Sequence, residues 1–163
     1  MTHRRTPLAS RCLLAALLAL GSTAATAGET DLPTAFNLAA EAAQANRAGK
    51  PLIILYSRTD CKYCETVKRD YLKPLAKNPQ HRGVLVRQIN QDSEVALTDF
   101  NGNKTTQAAF ASAENIKLVP VVAFYGPQGK QLAERMVGAG VPDFYQGYLD
   151  EAIAKSAAAL KAR

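Results

Sequence analysis

The chain has 163 residues, 47% of them hydrophobic and 21% charged, with a formal net charge of +6. That length supports one domain with a sizeable core, since domains of about 100 to 150 residues already bury most of their apolar surface. Three arginines, Arg4, Arg5 and Arg11, lie in the first 27 residues, which hold no acids; without them 17 Lys and Arg face 14 Asp and Glu, a balance of +3. So mild an excess gives no support to a nucleic-acid partner, and none is expected.

Residues 1–27 have the layout of a secretory signal peptide: the arginines precede the apolar run from Leu13 to Leu20, and small residues follow, ending Ala25-Thr26-Ala27. A membrane-spanning helix needs about 20 consecutive apolar residues, and Gly21, Ser22 and Thr23 interrupt this run. Twin-arginine export is the weaker variant of the same reading, because Pro7 stands where that motif calls for an aromatic. Cys12 precedes the apolar run, whereas a lipid-attachment cysteine would follow it, so Cys12 is expected to leave with the signal. The mature chain, 28–163, is then expected in the periplasm or outside the cell. It keeps two cysteines three positions apart, which in an oxidising compartment form either a small structural disulfide or a redox couple.

No internal repeat or low-complexity linker divides the mature chain, so it reads as one unit. From Pro33 to Ala48 the spacing of Phe36, Ala40, Ala43 and Arg47 predicts a helix, stopped by Gly49 and Pro51. Residues 51–57 form an apolar run without polar alternation, as a central strand covered on both faces requires. Beyond Cys64 the spacing of Val67, Tyr71 and Leu75 predicts the inner face of a helix, ended or kinked at Pro74. Gly83 resets the chain into a second strand, Val84 to Ile89. In 93–115 an Asn-Gly turn signal at Asn101-Gly102 precedes a candidate helix from Thr106 to Ala113. Val121 to Tyr125, the turn Gly126 to Gly129 and Lys130 to Val137 predict a hairpin, and Pro142 to Leu160 a closing helix with Phe144, Tyr148, Leu149 and Ala152 facing inward. This order implies an α/β fold: a mixed central sheet of about four strands with helices on both faces. It places Cys61 and Cys64 at a strand-to-helix junction.

A thiol in the first turn of a helix meets unsatisfied backbone N–H groups and the positive end of the helix dipole, both of which favour thiolate. Cys61 occupies that position and is expected to be the nucleophile, with Cys64, one turn deeper, resolving the mixed disulfide. Neighbouring charges modulate Cys61 in opposite directions: Lys62 favours its thiolate, whereas Asp60 opposes it unless it serves as the helix N-cap. Tyr63 adds an aromatic surface that packs against a partner peptide or shields Cys64. A static Cys61–Cys64 bridge is the competing structural explanation, but so short a loop restrains the unfolded chain little. Zinc needs three or four protein ligands, and the mature chain has a single histidine, His81, in the polar stretch 78–82, where it is expected to be solvated. Cuprous copper held by the two thiolates, with Met136 as a soft third ligand, stays open beside the alternative of Met136 as a core residue.

The apolar strand from Leu52 to Ser57, the motif Cys61-Lys62-Tyr63-Cys64, and Val119-Pro120 opening a later strand together resemble the thioredoxin superfamily over roughly 50–153. Within it, the stretch 97–103, then Gly126 to Lys130 and Val137-Gly138, resembles the periplasmic thioredoxin-like group, which includes sulfur-oxidation thioredoxins and the catalytic domains of disulfide isomerases. The resemblance implies a thioredoxin-like fold and a cis proline at Pro120 opposite the dithiol. It further implies that Pro120 keeps the backbone close to the sulfurs and that Val119 offers main-chain groups to a bound peptide. Two departures stand out. Cytosolic thioredoxins carry an aromatic before the first cysteine and a buried acid in the preceding strand, where this chain has Asp60 and the apolar Ile54-Leu55.

The resemblance also implies a role. A disulfide isomerase would need a dimerisation module, for which there is no room before residue 50, and a dedicated oxidant a large helical insertion, for which 93–115 is too short. What remains is a monomeric reductant of protein disulfides, with no cofactor beyond its redox-active disulfide, drawing electrons from a membrane-bound dithiol donor. A copper(I)-carrying module and a non-catalytic peptide-binding domain are the alternatives from other classes.

Overall fold

The structure, a computed structural model, describes residues 31–162, so the proposed signal peptide, 1–27, lies outside the described residues. Strand β1, Leu52–Ser57, is the centre of the molecule and is buried along its whole length. It pairs in parallel with β2, Leu85–Asn90, and antiparallel with β5, Val121–Tyr125, which pairs in turn with β6, Met136–Val137. The resulting mixed sheet has the order β2-β1-β5-β6. A two-stranded ribbon, β3 (Ala96–Thr98) and β4 (Lys104–Thr106), stands apart from it.

A fully apolar strand can bury both faces only if each has its own cover, and the alternation of β1 side chains divides the core accordingly. Leu52, Ile54 and Tyr56 point into one apolar cluster with helix α1 (Leu38–Arg47) and helix α4 (Gln107–Ala113). Ile53 and Leu55 point into the other, formed with α2 (Lys62–Val67), α3 (Lys73–Lys77) and α5 (Pro142–Lys161). The expected α/β architecture, four sheet strands with helices on both faces, is the one observed. Among the described residues no helix is long and apolar enough to cross a membrane.

Several elements differ from their sequence reading, each for a local reason. The first helix starts at Leu38 rather than Pro33, because Asn37 caps it by accepting a hydrogen bond from the Ala40 N–H at 3.0 Å. The preceding segment is extended and bonds to β2, with Ala35 N–H donating to the Gln88 carbonyl (3.0 Å) and Gln88 N–H to that of Pro33 (2.9 Å). Phe36 therefore lies outside the helix and is exposed. Between α2 and α3 a π-helical turn, Lys68–Leu72, inserts into the helix, so that Leu72 joins Val67 and Leu75 inside while Tyr71 is only half-buried. Pro74 does not end the helix; it is the second residue of α3, directly after the π-helical turn. The long return strand of the hairpin shrinks to the two residues of β6, preceded by an isolated bridge between Tyr125 and Gln131.

On α5 the inward stripe is Tyr145, Leu149, Ala152, Ile153 and Ser156, at intervals of four, three, one and three. Leu149 and Ala152 face in as expected, but Phe144 and Tyr148 lie one residue off this stripe and are 61% and 58% exposed. His81 is also not simply solvated: its side chain is 16% exposed and its Nε2 lies 3.5 Å from Oδ1 of Asp150 on α5.

Candidate functional site at the β1–α2 junction

Where β1 ends, the chain must turn from a fully buried strand into α2, and polar ties from the exit of β2 hold that turn. Gln91 N–H donates to the Ser57 carbonyl at 2.9 Å, and Thr59 N–H donates to Oδ2 of Asp92 at 2.9 Å. The Thr59 N–H is the main cause that holds the Asp92 carboxyl below its ordinary value. Asp60 then adopts a left-handed backbone (φ +55°) that points the chain into the helix. Asp60 is therefore not the helix cap. Cys61 is the cap: its backbone is extended, and its Sγ accepts a hydrogen bond from Cys64 N–H at 3.2 Å.

Cys61 and Cys64 are joined by a disulfide, with an S–S distance of 2.03 Å and Cα atoms 5.2 Å apart. Cys61 is 9% exposed and Cys64 fully buried, which makes Cys61 the more accessible residue of the pair. Lys62 is exposed in the first turn of α2, and Tyr63 is 66% exposed, so Tyr63 does not shield Cys64 by being buried over it. The Val119–Pro120 peptide is cis, with Val119 half-buried and Pro120 buried. Tyr56 of β1 faces Val121 of β5, and one step further the same antiparallel register brings Pro120 beside Ser57, four residues before Cys61. The Pro120 carbonyl accepts from Gly138 N–H at 2.8 Å, drawing the end of β6 to the same edge. The structure thus gathers Asp60 to Cys64, Val119-Pro120 and Gly138 at one end of the sheet.

Three features of this region carry no motif in the sequence. The first is Lys68, on the same face of the helix as Cys64 and four residues on. Its side chain is 4% exposed, yet its Nζ is 2.7 Å from both Oδ1 of Asp31 and Oε1 of Glu65. Burial alone would lower the Lys68 pKa, but the two carboxylates more than reverse this and raise it; burial likewise pushes Asp31 up, while Lys68 and the Leu32 N–H leave it below its ordinary value.

The second is a buried polar chain on the other side of the sheet. The Tyr125 hydroxyl donates to Oε2 of Glu114 at 2.8 Å and lies 2.8 Å from the Tyr56 hydroxyl. With its one proton given to Glu114, Tyr125 must accept from Tyr56. Arg135 clamps the same Glu114 through its carboxylate and, at 2.8 Å, its main-chain carbonyl. Burial raises the pKa of both tyrosines, so both are protonated donors at neutral pH. Glu114 begins the segment that leads to Pro120, so this chain ties the cis-peptide loop to β1 and β5.

The third is a cavity of about 640 Å³ beside the dithiol turn, bounded by 58–60, Gln91, Asp92, α4 and residues 115–117. The polar run Gln91-Asp92-Ser93, directly after β2, is the one sequence signal that hints at it. Met136, weighed above as a soft ligand, packs against the core cluster on the α2 side. Among the described residues no group of three or more His, Cys, Asp or Glu side chains could hold a metal ion.

A mixed sheet with helices on both faces, a Cys-x-x-Cys pair capping the helix that follows the central strand, and a cis proline beside that strand's exit define a thioredoxin-type architecture. The family model described as a thioredoxin-like domain matches residues 38–153, and the chain belongs to this family. Solved structures agree on the fold. The chain is similar to mitochondrial thioredoxin 3 of Saccharomyces cerevisiae in its oxidized form (16% identity, TM-score 0.51, 76% of this chain and 93% of that one). It is likewise similar to Trxlp of Edwardsiella tarda EIB202 (20% identity, TM-score 0.50, 71% and 98%) and to thioredoxin NaTrxh of Nicotiana alata (14%, 0.50, 76% and 96%). No curated protein matches the sequence. With its Cys61–Cys64 pair, this fold supports thiol–disulfide oxidoreductase chemistry in general.

Proposed function

We propose that the protein is an exported reductant of protein disulfides. The observation that carries this reading is the asymmetry of the pair: Cys61, at the helix cap, keeps 9% of its surface accessible, whereas Cys64 keeps none. In the dithiol state the Cys61 thiolate attacks one sulfur of a substrate disulfide, the substrate S–S bond breaks, and one substrate thiolate leaves to be protonated by solvent. The Cys64 thiolate then attacks Cys61 Sγ in the mixed disulfide and releases the second substrate thiolate. Two electrons pass to the substrate, and the protein is left with the Cys61–Cys64 bond. An external dithiol, membrane-bound in an exported setting, returns the two electrons. Val119, Pro120 and Tyr63 supply the surface against which an extended substrate segment lies. Export rests on the arginine-led apolar run of residues 1–27 alone.

The test is insulin-disulfide reduction by protein starting at Gly28, with dithiothreitol as donor. Activity abolished by Cys61→Ser, together with covalent substrate complexes accumulating in Cys64→Ser, is the expected outcome; accumulation in Cys61→Ser instead would reverse the two roles. The direction of electron flow is read from a glutathione titration. A pair still oxidised near about −300 mV is a reductant, and one fully reduced well above about −200 mV is not.

A further inference from the structure

The outer face of α5 serves neither the core nor the dithiol. Val141, the residue before the helix, and Phe144 and Tyr148 follow one another at intervals of three and four, so they form one stripe, and each is more than half exposed. Single exposed apolar residues are ordinary on a protein surface, but three in succession along one helix make a patch. Further along the same face the exposed residues become small, with Ala154 and Ala158. Gly147 stands beside the aromatic residues, and a Cβ there would meet no atom from the rest of the described chain within 4 Å. Glycine is among the poorest helix formers, and nothing in the packing of a single chain calls for it at this position. Charge divides along the helix in the same way. The first half of α5 carries Asp143, Asp150 and Glu151 and no base, and the second half carries Lys155 and Lys161 and no acid.

We infer that this face binds a second copy of the chain, through an antiparallel contact of the two α5 helices about a two-fold axis near their middle, and so departs from the monomer that the resemblance implies. In that arrangement the aromatic half of each helix faces the alanine half of the other, and the acidic half of each faces the basic half of the other. A parallel contact would set ring against ring and like charge against like charge. Gly147 lets the two backbones approach closely. The area fixes the strength. A helix of 20 residues is about 30 Å long and about 10 Å wide, roughly 300 Å² a side, against about 800 Å² a side for a standard interface. A groove of about 260 Å³ along the flank of α5, with Ala133, Met136, Tyr148 and Ala152 in its lining, adds to this contact. The dimer is therefore weak, with a Kd in the micromolar range. Because α5 starts shortly after Gly138, at the dithiol end of the sheet, antiparallel pairing carries the two Cys61–Cys64 sites to opposite ends of the dimer, both open. The inference does not depend on the thiol–disulfide reading above.

The experiment is sedimentation equilibrium of the oxidised protein starting at Gly28, from about 1 to about 500 µM, a range that brackets a micromolar Kd. A reversible equilibrium between one and two protomers, with no larger species, is expected. Phe144→Glu and Ala158→Glu change exposed positions on opposite halves of the stripe, and each is expected to raise Kd about tenfold or more. Gly147→Ala should also weaken the dimer while leaving the Tm of a dilute sample unchanged or higher, since alanine is the better helix former. Asp143→Lys and Lys161→Glu should each weaken association alone, and the two together should restore it, because the reversed charges again face each other across the axis. The mass of a single protomer throughout the range overturns the inference. So does a dimer that survives both glutamate variants, or a double reversal that associates no better than the single ones. Insulin reduction per protomer by Phe144→Glu is expected to match wild type; a loss would assign the stripe to substrate contact and overturn the second-copy reading.

Discussion

The hydrogen-bond chain from Tyr56 through Tyr125 to Glu114 makes a prediction in which one substitution changes sign with its background. Tyr56 and Tyr125 are both among the fully buried side chains. In Tyr125→Phe the Tyr56 hydroxyl loses its acceptor inside the core, while Glu114 keeps Arg135. An orphaned buried polar group costs about 1–3 kcal/mol, and the lost bond to a charged acceptor adds to it, so Tyr125→Phe should destabilise by roughly 2–3 kcal/mol. Tyr56→Phe alone leaves Tyr125 still bonded to Glu114 and removes one neutral bond, a loss of about 0.5–1.5 kcal/mol. Placed on top of Tyr125→Phe, the same Tyr56→Phe removes the orphan and should recover about 1 kcal/mol. Urea unfolding of the oxidised wild type, both single variants and the double variant measures all four corners of the cycle. If Tyr56→Phe costs as much in the Tyr125→Phe background as in wild type, the hydroxyls are not in series and the reasoning is wrong.

Two further outcomes follow from other parts of the fold. Asp31 is held below its ordinary pKa largely by Lys68, so the folded state binds fewer protons than the unfolded chain near pH 4, and the pair's contribution is present above about pH 4 and lost as pH falls through the lowered value. Because Asp31 is mostly exposed, Asp31→Asn should cost only roughly 0.5–1 kcal/mol at pH 7, and the gap from wild type should shrink as pH falls below the ordinary carboxylate range; a gap of constant size in urea titrations across that acid range would refute the pairing. Gly129 has φ +75°, and a Cβ there would sit 2.6 Å from Cδ2 and 3.1 Å from Cβ of Phe100, whose ring packs on Phe110 and Tyr125. Left-handed strain of about 1 kcal/mol plus overpacking of about 1–3 kcal/mol predicts that Gly129→Ala lowers Tm by about 10 °C, and a melting curve that superimposes on wild type would contradict it.

The parts of the fold that could be read from the chain are those dictated by local pattern. The unbroken apolar run of β1 declared a doubly covered strand, and the two cysteines three apart after it declared the start of a helix. What stayed hidden depends on partners distant in sequence. Whether Asp60 or Cys61 caps α2 is decided by Asp92, more than thirty residues away, whose grip on Thr59 sets the turn before it. On α5 the aliphatic positions Leu149 and Ala152 follow the pattern, whereas Phe144 and Tyr148 lie one residue off the buried stripe, because its aromatic residues come as Phe144, Tyr145 and Tyr148 and aromatic content alone does not say which of them points in. Tyr145 goes in and stacks on Tyr71, their ring centroids 4.4 Å apart, across the π-helical turn that the sequence did not announce. The extended segment before α1 continues the alanine-rich spacing of a helix, but its bonds to Gln88 outweigh that preference.

From Leu52 to Leu55 strand β1 offers only Leu and Ile side chains to its neighbours, so its register is set by backbone pairing and shape; Ser57, the buried polar residue at its end, falls on the same face as Ile53 and Leu55. Leu55, which points to the α2 side, is fully buried and apolar. The positioning of the dithiol therefore falls to groups at the strand's edges: Asp92 on Thr59, Gly138 on Pro120, and Arg135 on Glu114. On the helix itself Lys68, one turn on from Cys64, is buried and held by two carboxylates, those of Asp31 and Glu65, rather than by an acid within the strand.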